Sequence, residues 1–205
     1  MLSAIQQNLE AVYRISAPDV RQFLIDEDQL RDVLGDPDRE AEEWVVVREG
    51  PDGVNVGVYV AAPALERLKG LPGPSEALED AFQAFCLATE GVSHFLMLFE
   101  RARRQEPVSM LELETQAEVD KFVFAALHHP DRMEEWHTRL FRNVRLAQGL
   151  CEEELSRYTE AGRLAGAFCA SLCATPHTGA LLELLRAFWR DSGAQRMERL
   201  RRLAA

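Results

Sequence analysis

The chain has 205 residues, enough for one domain with a substantial core and short for two full domains. Its hydrophobic fraction of 47% beside 28% charged residues excludes a disordered chain. A formal charge of −11 repels a phosphate backbone, which argues against nucleic acid as the partner. Charge is uneven: residues 183–205 carry six arginines against Glu183, Asp191 and Glu198. Such a tail reads as a solvated helix end whose cations complement the helix dipole.

No basic cluster leads an apolar run at the N-terminus, so no secretory signal is expected. The longest run of small apolar residues, 164–174, falls well short of the roughly twenty needed to cross a bilayer. No membrane association follows. Cys86, Cys151, Cys169 and Cys173 form no Cys-x-x-Cys pair, which fits four structural thiols in a reducing, cytoplasmic setting.

In chain order the pattern predicts a helix at 3–14, then one at 17–34 with a break near Asp26, stopped by Gly35 and Pro37. Capping pairs are expected at Ser3/Gln6, Ser16/Asp19, Ser109/Glu112 and Asp131/Glu134. A β-hairpin is predicted over 44–60, its strands joined through Gly50-Pro51-Asp52-Gly53 as a type I turn. A short helix opens at Pro63, and Gly70-Leu71-Pro72-Gly73-Pro74 can neither coil nor pair, which divides the chain. Long helices follow at 76–105, 110–128, 132–148, 151–174 and 178–203, the last interrupted at Ser192-Gly193. The fold class is therefore mainly α: an N-terminal unit of helices and one β-hairpin over 1–70, packed with a helical bundle over 75–205.

Two constellations bear on chemistry. Glu90 and His94 share a helix face at i, i+4, a spacing that suits one metal ion. A helical wheel sets them on one stripe with Glu79, Gln83 and Arg101, opposite Phe85, Val92 and Phe95, which predicts a solvated face without metal. The 110–128 helix is apolar on two sides, through Leu111, Thr115, Val119, Phe122 and Ala126, and through Leu113, Ala117 and Phe124. Such a helix should be central. Its polar residues fall into two narrow stripes, Glu112-Gln116-Asp120 and Glu114-Glu118-Lys121-His128, with Glu114, Glu118 and Asp120 as candidate acid/base residues. Glu112 belongs to a capping box, Gln116 reaches Asp120 and Glu118 reaches Lys121, which leaves Glu114 unassigned.

His128-His129-Pro130-Asp131 reads as a helix junction, and His137 and His177 as lone histidines. Gly162, Gly166 and Ala170 form a smooth stripe for a close helix contact. No nucleophile elbow, phosphate loop, zinc-ligand spacing or cofactor motif is present. Two functions follow as expectations. One is a non-catalytic interaction or regulatory protein, joined to a partner or a second copy through the 44–60 hairpin edge. The other is a metal-dependent or acid/base enzyme that uses carboxylates of the 110–128 helix, with His94.

Overall fold

The computed structural model describes residues 1–35, 42–50, 53–143, 149–175 and 177–205. It is mainly α, 74% helical, with ten α-helices among the described residues and a small antiparallel hairpin. In order these are α1 (Leu2–Tyr13), α2 (Glu27–Leu34), β1 (Glu43–Gly50), β2 (Gly53–Val60), α3 (Ala62–Leu68), α4 (Pro74–Asp80), α5 (Phe82–Arg104) and α6 (Met110–His128). α7 (Met133–Phe141), α8 (Glu152–Cys173), α9 (Thr178–Arg190) and α10 (Gly193–Leu203) complete the chain. Pro37, the Pro51-Asp52 centre of the expected turn and the 144–148 end of the expected 132–148 helix lie outside the described residues.

Local chemistry sets several boundaries. Ser109 and Glu112 form the capping box that opens α6, and Ser192 with Gln195 caps α10 at the expected interruption. Asp26 and Gln29 do the same for α2, and the Cys151 sulfur accepts from the Glu154 N–H at the start of α8. Three expected caps are not made. Gln6 lies buried, where its amide takes the Val20 N–H at 2.8 Å and donates to the Pro18 carbonyl at 2.9 Å, so it cannot reach back toward Ser3. Pro18 disfavours helix at Ala17, and Asp19 instead caps a 3₁₀ turn at Val20–Phe23. Pro130–Arg132 is a second 3₁₀ turn, after which α7 begins without a side-chain cap.

α5 and α6 are the axis of the molecule. α1, α3, α4, α6 and both strands pack on α5, while α6 also meets α7 and α8, and α10 lies on α8. Phe122, Val123, Phe124 and Ala125 are consecutive and all buried, so α6 is enclosed on every side, as its two apolar faces require. The expected 76–105 helix breaks at Ala81, which lets α4 fold against α5 and α6. α5 is long and apolar enough to span a membrane by length and composition, a feature the sequence reading passed over; 67% of that stretch is buried inside this fold.

The hairpin lies over α5 with Val58 and Val60 buried. Gly91 makes this possible: a Cβ there would stand 3.3 Å from Val58, Val60 and the Glu43 carboxylate. The edges are not equally open. Ile25 N–H donates to the Val58 carbonyl at 3.0 Å, so the 24–25 segment occupies part of the β2 edge that the sequence leaves free. Of the small-residue stripe in α8, Gly166 packs closely against Phe141, while among the described residues no neighbour closes on Gly162.

Candidate functional site

The expectation that Glu90 and His94 face water is overturned. His94 is 5% exposed and Glu90 half-buried, because the hairpin and α6 cover the polar stripe of α5. A helical wheel opposes one core to one solvent face, and α5 has protein around most of its circumference.

Three elements deliver the cluster. α5 supplies Glu90 and His94 one turn apart, and α6 supplies Glu114, Glu118 and Lys121. β1, seated by Gly91, brings Glu43. His94 Nδ1 stands 3.4 Å from Glu43 Oε1, and its Nε2 stands 3.6 Å from Glu114 Oε2. Arg157 of α8 approaches the other Glu114 oxygen at 3.6 Å. Lys121 Nζ donates at 2.7 Å to both Glu90 and Glu118. Potential ligand atoms of Glu90, His94 and Glu114 all lie within 4.8 Å of one another.

The electrostatics follow from enclosure. Burial alone would push the His94 imidazolium down, but Glu43 and Glu114 together outweigh it and hold its pKa well above the usual histidine value. Burial raises Glu43. Burial also opposes ionisation of Glu90, yet Lys121 and His94 leave its pKa lowered. Lys121 is raised well above its ordinary value because Glu118 and Glu90 overcome its desolvation. Tyr158 is pushed up to about 12, by burial first and then by Glu114 and Glu90. Even so, Glu43 Oε1 and His94 Nε2 are buried without a hydrogen-bond partner among the described residues. The His94–Glu114 gap is too wide for a good hydrogen bond.

The other stripe of α6 turns to a separate cluster. The Tyr13 hydroxyl donates to Asp120 Oδ1, Ser93 Oγ donates to Oδ2 at 2.6 Å, and Gln116 donates to Oδ1 at 2.9 Å. Arg196 of α10 donates to Gln116 Oε1 at 3.2 Å and to the Trp189 carbonyl at 2.8 Å. This arginine is almost fully buried, with its pKa lowered to about 10 by desolvation, so part of the expected solvated tail is core. Of the three candidate carboxylates, Glu114 and Glu118 thus join the His94 side, and Asp120 stands apart with Tyr13.

Sequence reading missed Glu43, Arg157, Tyr13, Ser93 and Arg196. On α5 the residue that meets Asp120 is Ser93, the neighbour of His94. Glu43 and Arg157 carry no local signal, since each reaches the site through tertiary packing. Of the other histidines, His129 stands 3.8 Å from Glu79 and His137 Nε2 lies 2.8 Å from the Gly166 carbonyl. Compared with known proteins, the chain matches no known family, and no curated protein or solved structure is significantly similar to it.

Proposed function

We propose that this is a metal-binding helical protein whose centre, Glu90, His94 and Glu114, takes one divalent first-row cation such as zinc or manganese. The observation that carries the reading is that three potential ligand atoms converge within 4.8 Å while each ligand faces a charged group from a different direction. Glu43 Oε1 stands 3.4 Å from His94 Nδ1, on the side where a carboxylate would keep the proton on that nitrogen once a cation displaces the proton of Nε2. Arg157 Nε stands 3.6 Å from Glu114, and Lys121 donates to Glu90 at 2.7 Å. Metal-ligating histidines ordinarily place their second nitrogen against such a carboxylate.

The geometry is compatible with one ion. Two ligand atoms 3.6 Å apart, each about 2.1 Å from a cation, subtend an angle of roughly 120°. Ligands on opposite sides of such an ion stand about 4.2 Å apart, so loading turns Glu90 slightly inward from the 4.8 Å limit. Charge agrees too: Glu43, Glu90, Glu114 and Glu118 face Lys121 and Arg157, and a dication with neutral His94 balances them. One nitrogen with carboxylate oxygens suits zinc, manganese or iron rather than a soft thiolate metal. A loaded ion would act as a Lewis acid or hold a water for acid/base chemistry.

The test is elemental analysis of the purified protein, followed by calorimetric titration of zinc and of manganese into chelator-treated protein. One ion per chain is expected, lost in His94→Ala and in Glu114→Gln, and weakened about 10- to 100-fold in Glu43→Gln. Circular dichroism checks that each variant is folded. Folded wild-type protein that takes up neither metal overturns the reading.

A second reading, association through the hairpin, is favoured by β1. Val47 is 45% exposed, and no backbone hydrogen bond from another segment reaches the outer edge of β1 among the described residues. Unpaired strand edges of this kind accept a further strand.

A further inference from the structure

An open cleft of about 450 Å³ lies between the end of α1, the end of α5 and α9, away from the His94 cluster. Five arginines line it, Arg14, Arg103, Arg104, Arg186 and Arg190, against the single carboxylate of Glu100. In a chain of net charge −11 this is a concentrated patch of the opposite sign. We infer that the cleft binds a soluble anion carrying two adjacent phosphoryl groups.

Three of the guanidiniums are fixed in advance. Glu100 is 4% exposed, and its Oε1 accepts from Arg103 Nη2 at 2.8 Å and Arg104 Nε at 2.7 Å, while Oε2 accepts from Arg103 Nε at 2.9 Å. Arg186 Nε donates at 2.8 Å to the Val12 carbonyl at the end of α1, and its Nη1 pairs with Glu183 at 3.0 Å. These bonds leave Nη1 of Arg103, both Nη atoms of Arg104 and Nη2 of Arg186 with donors to offer. Arg14 and Arg190 are exposed, with no ion-pair or hydrogen-bond partner among the described residues. Guanidinium forks match phosphoryl oxygens in geometry as well as charge.

The count sets the ligand class. One phosphoryl group has too few free oxygens for five forks, whereas a diphosphate presents two groups side by side. A volume of this size lies in the range of small-molecule pockets. Tyr13, the one aromatic residue in the lining, is buried and stacked on Trp189, so among the described residues no exposed ring waits there for a nucleobase. Recognition therefore rests on the phosphates.

Titrating inorganic pyrophosphate into the protein in magnesium-free buffer tests this calorimetrically. Saturable binding is expected, weakened about tenfold for each guanidinium removed, hence roughly a hundredfold in Arg14→Ala/Arg190→Ala. Arg103→Ala, another largely exposed arginine, supplies a second variant should the double change fail to fold. His94→Ala should bind pyrophosphate as the wild type does, which separates this cleft from the metal centre. Absence of saturable binding up to ~1 mM, unchanged affinity in a folded arginine variant, or equally tight binding of malonate would overturn the inference.

Discussion

Asp120 offers a clean measurement of what enclosure costs in this fold. Its carboxylate sits in a fully buried site, and desolvation lifts its pKa from the ordinary 3.8 to about 6 although Ser93, Tyr13 and Gln116 all donate to it and Arg196 lies near. Burial here outweighs three hydrogen bonds. Because the folded-state pKa is raised above the unfolded one, the protonated form favours folding. That contribution is complete below about pH 4 and is lost as pH rises through about 6. A displacement of roughly two units corresponds to about 3 kcal/mol. Other carboxylates titrate over the same range, so the quantity to measure is a difference. Urea unfolding of wild type and Asp120→Asn at pH 4 and at pH 7 gives two stability gaps. Wild type should gain about 2 kcal/mol relative to the variant at the lower pH, most of the full displacement. A gap that does not change with pH, or one that moves the opposite way, would show that the hydrogen bonds dominate and would refute the reasoning.

Phe122, fully buried at the centre of α6, should cost about 3 to 5 kcal/mol when changed to alanine, read from denaturant midpoints; an unchanged midpoint would place α6 outside the core. For the β1 edge, sedimentation of the wild type should show self-association that Val47→Lys weakens, and a wild type that is monomeric at every concentration counts against pairing between copies.

Features decided within a few residues are legible in the sequence. Ser109 with Glu112 announced α6, Ser192 broke the last helix, and the paired apolar faces of α6 foretold its enclosure. The misreadings share one cause. Gln6, Glu90, His94 and Arg196 are polar residues on helices whose polar faces meet other protein, and a single-helix pattern cannot distinguish a neighbouring element from water. Glu114 stands out because Glu112, Gln116, Glu118, Asp120 and Lys121 each have a partner near in sequence, whereas its charged neighbours lie on α5 and α8. Glu43 was beyond reach for the opposite reason. Its role depends on how closely a hairpin docks, and that distance is set by Gly91 on another element.

The polar stripe of Gln116 and Asp120 also constrains the order of events during synthesis. Gln116 bonds Tyr13, made 103 residues earlier, and Arg196, made 80 residues later. A nascent chain that has exposed α1, α5 and α6 can assemble Tyr13, Ser93 and Asp120, but the Gln116 carbonyl has no cation until α10 leaves the ribosome. Arg196 therefore closes the cluster from α10, and a chain without that helix would leave the Gln116 carbonyl without its cation.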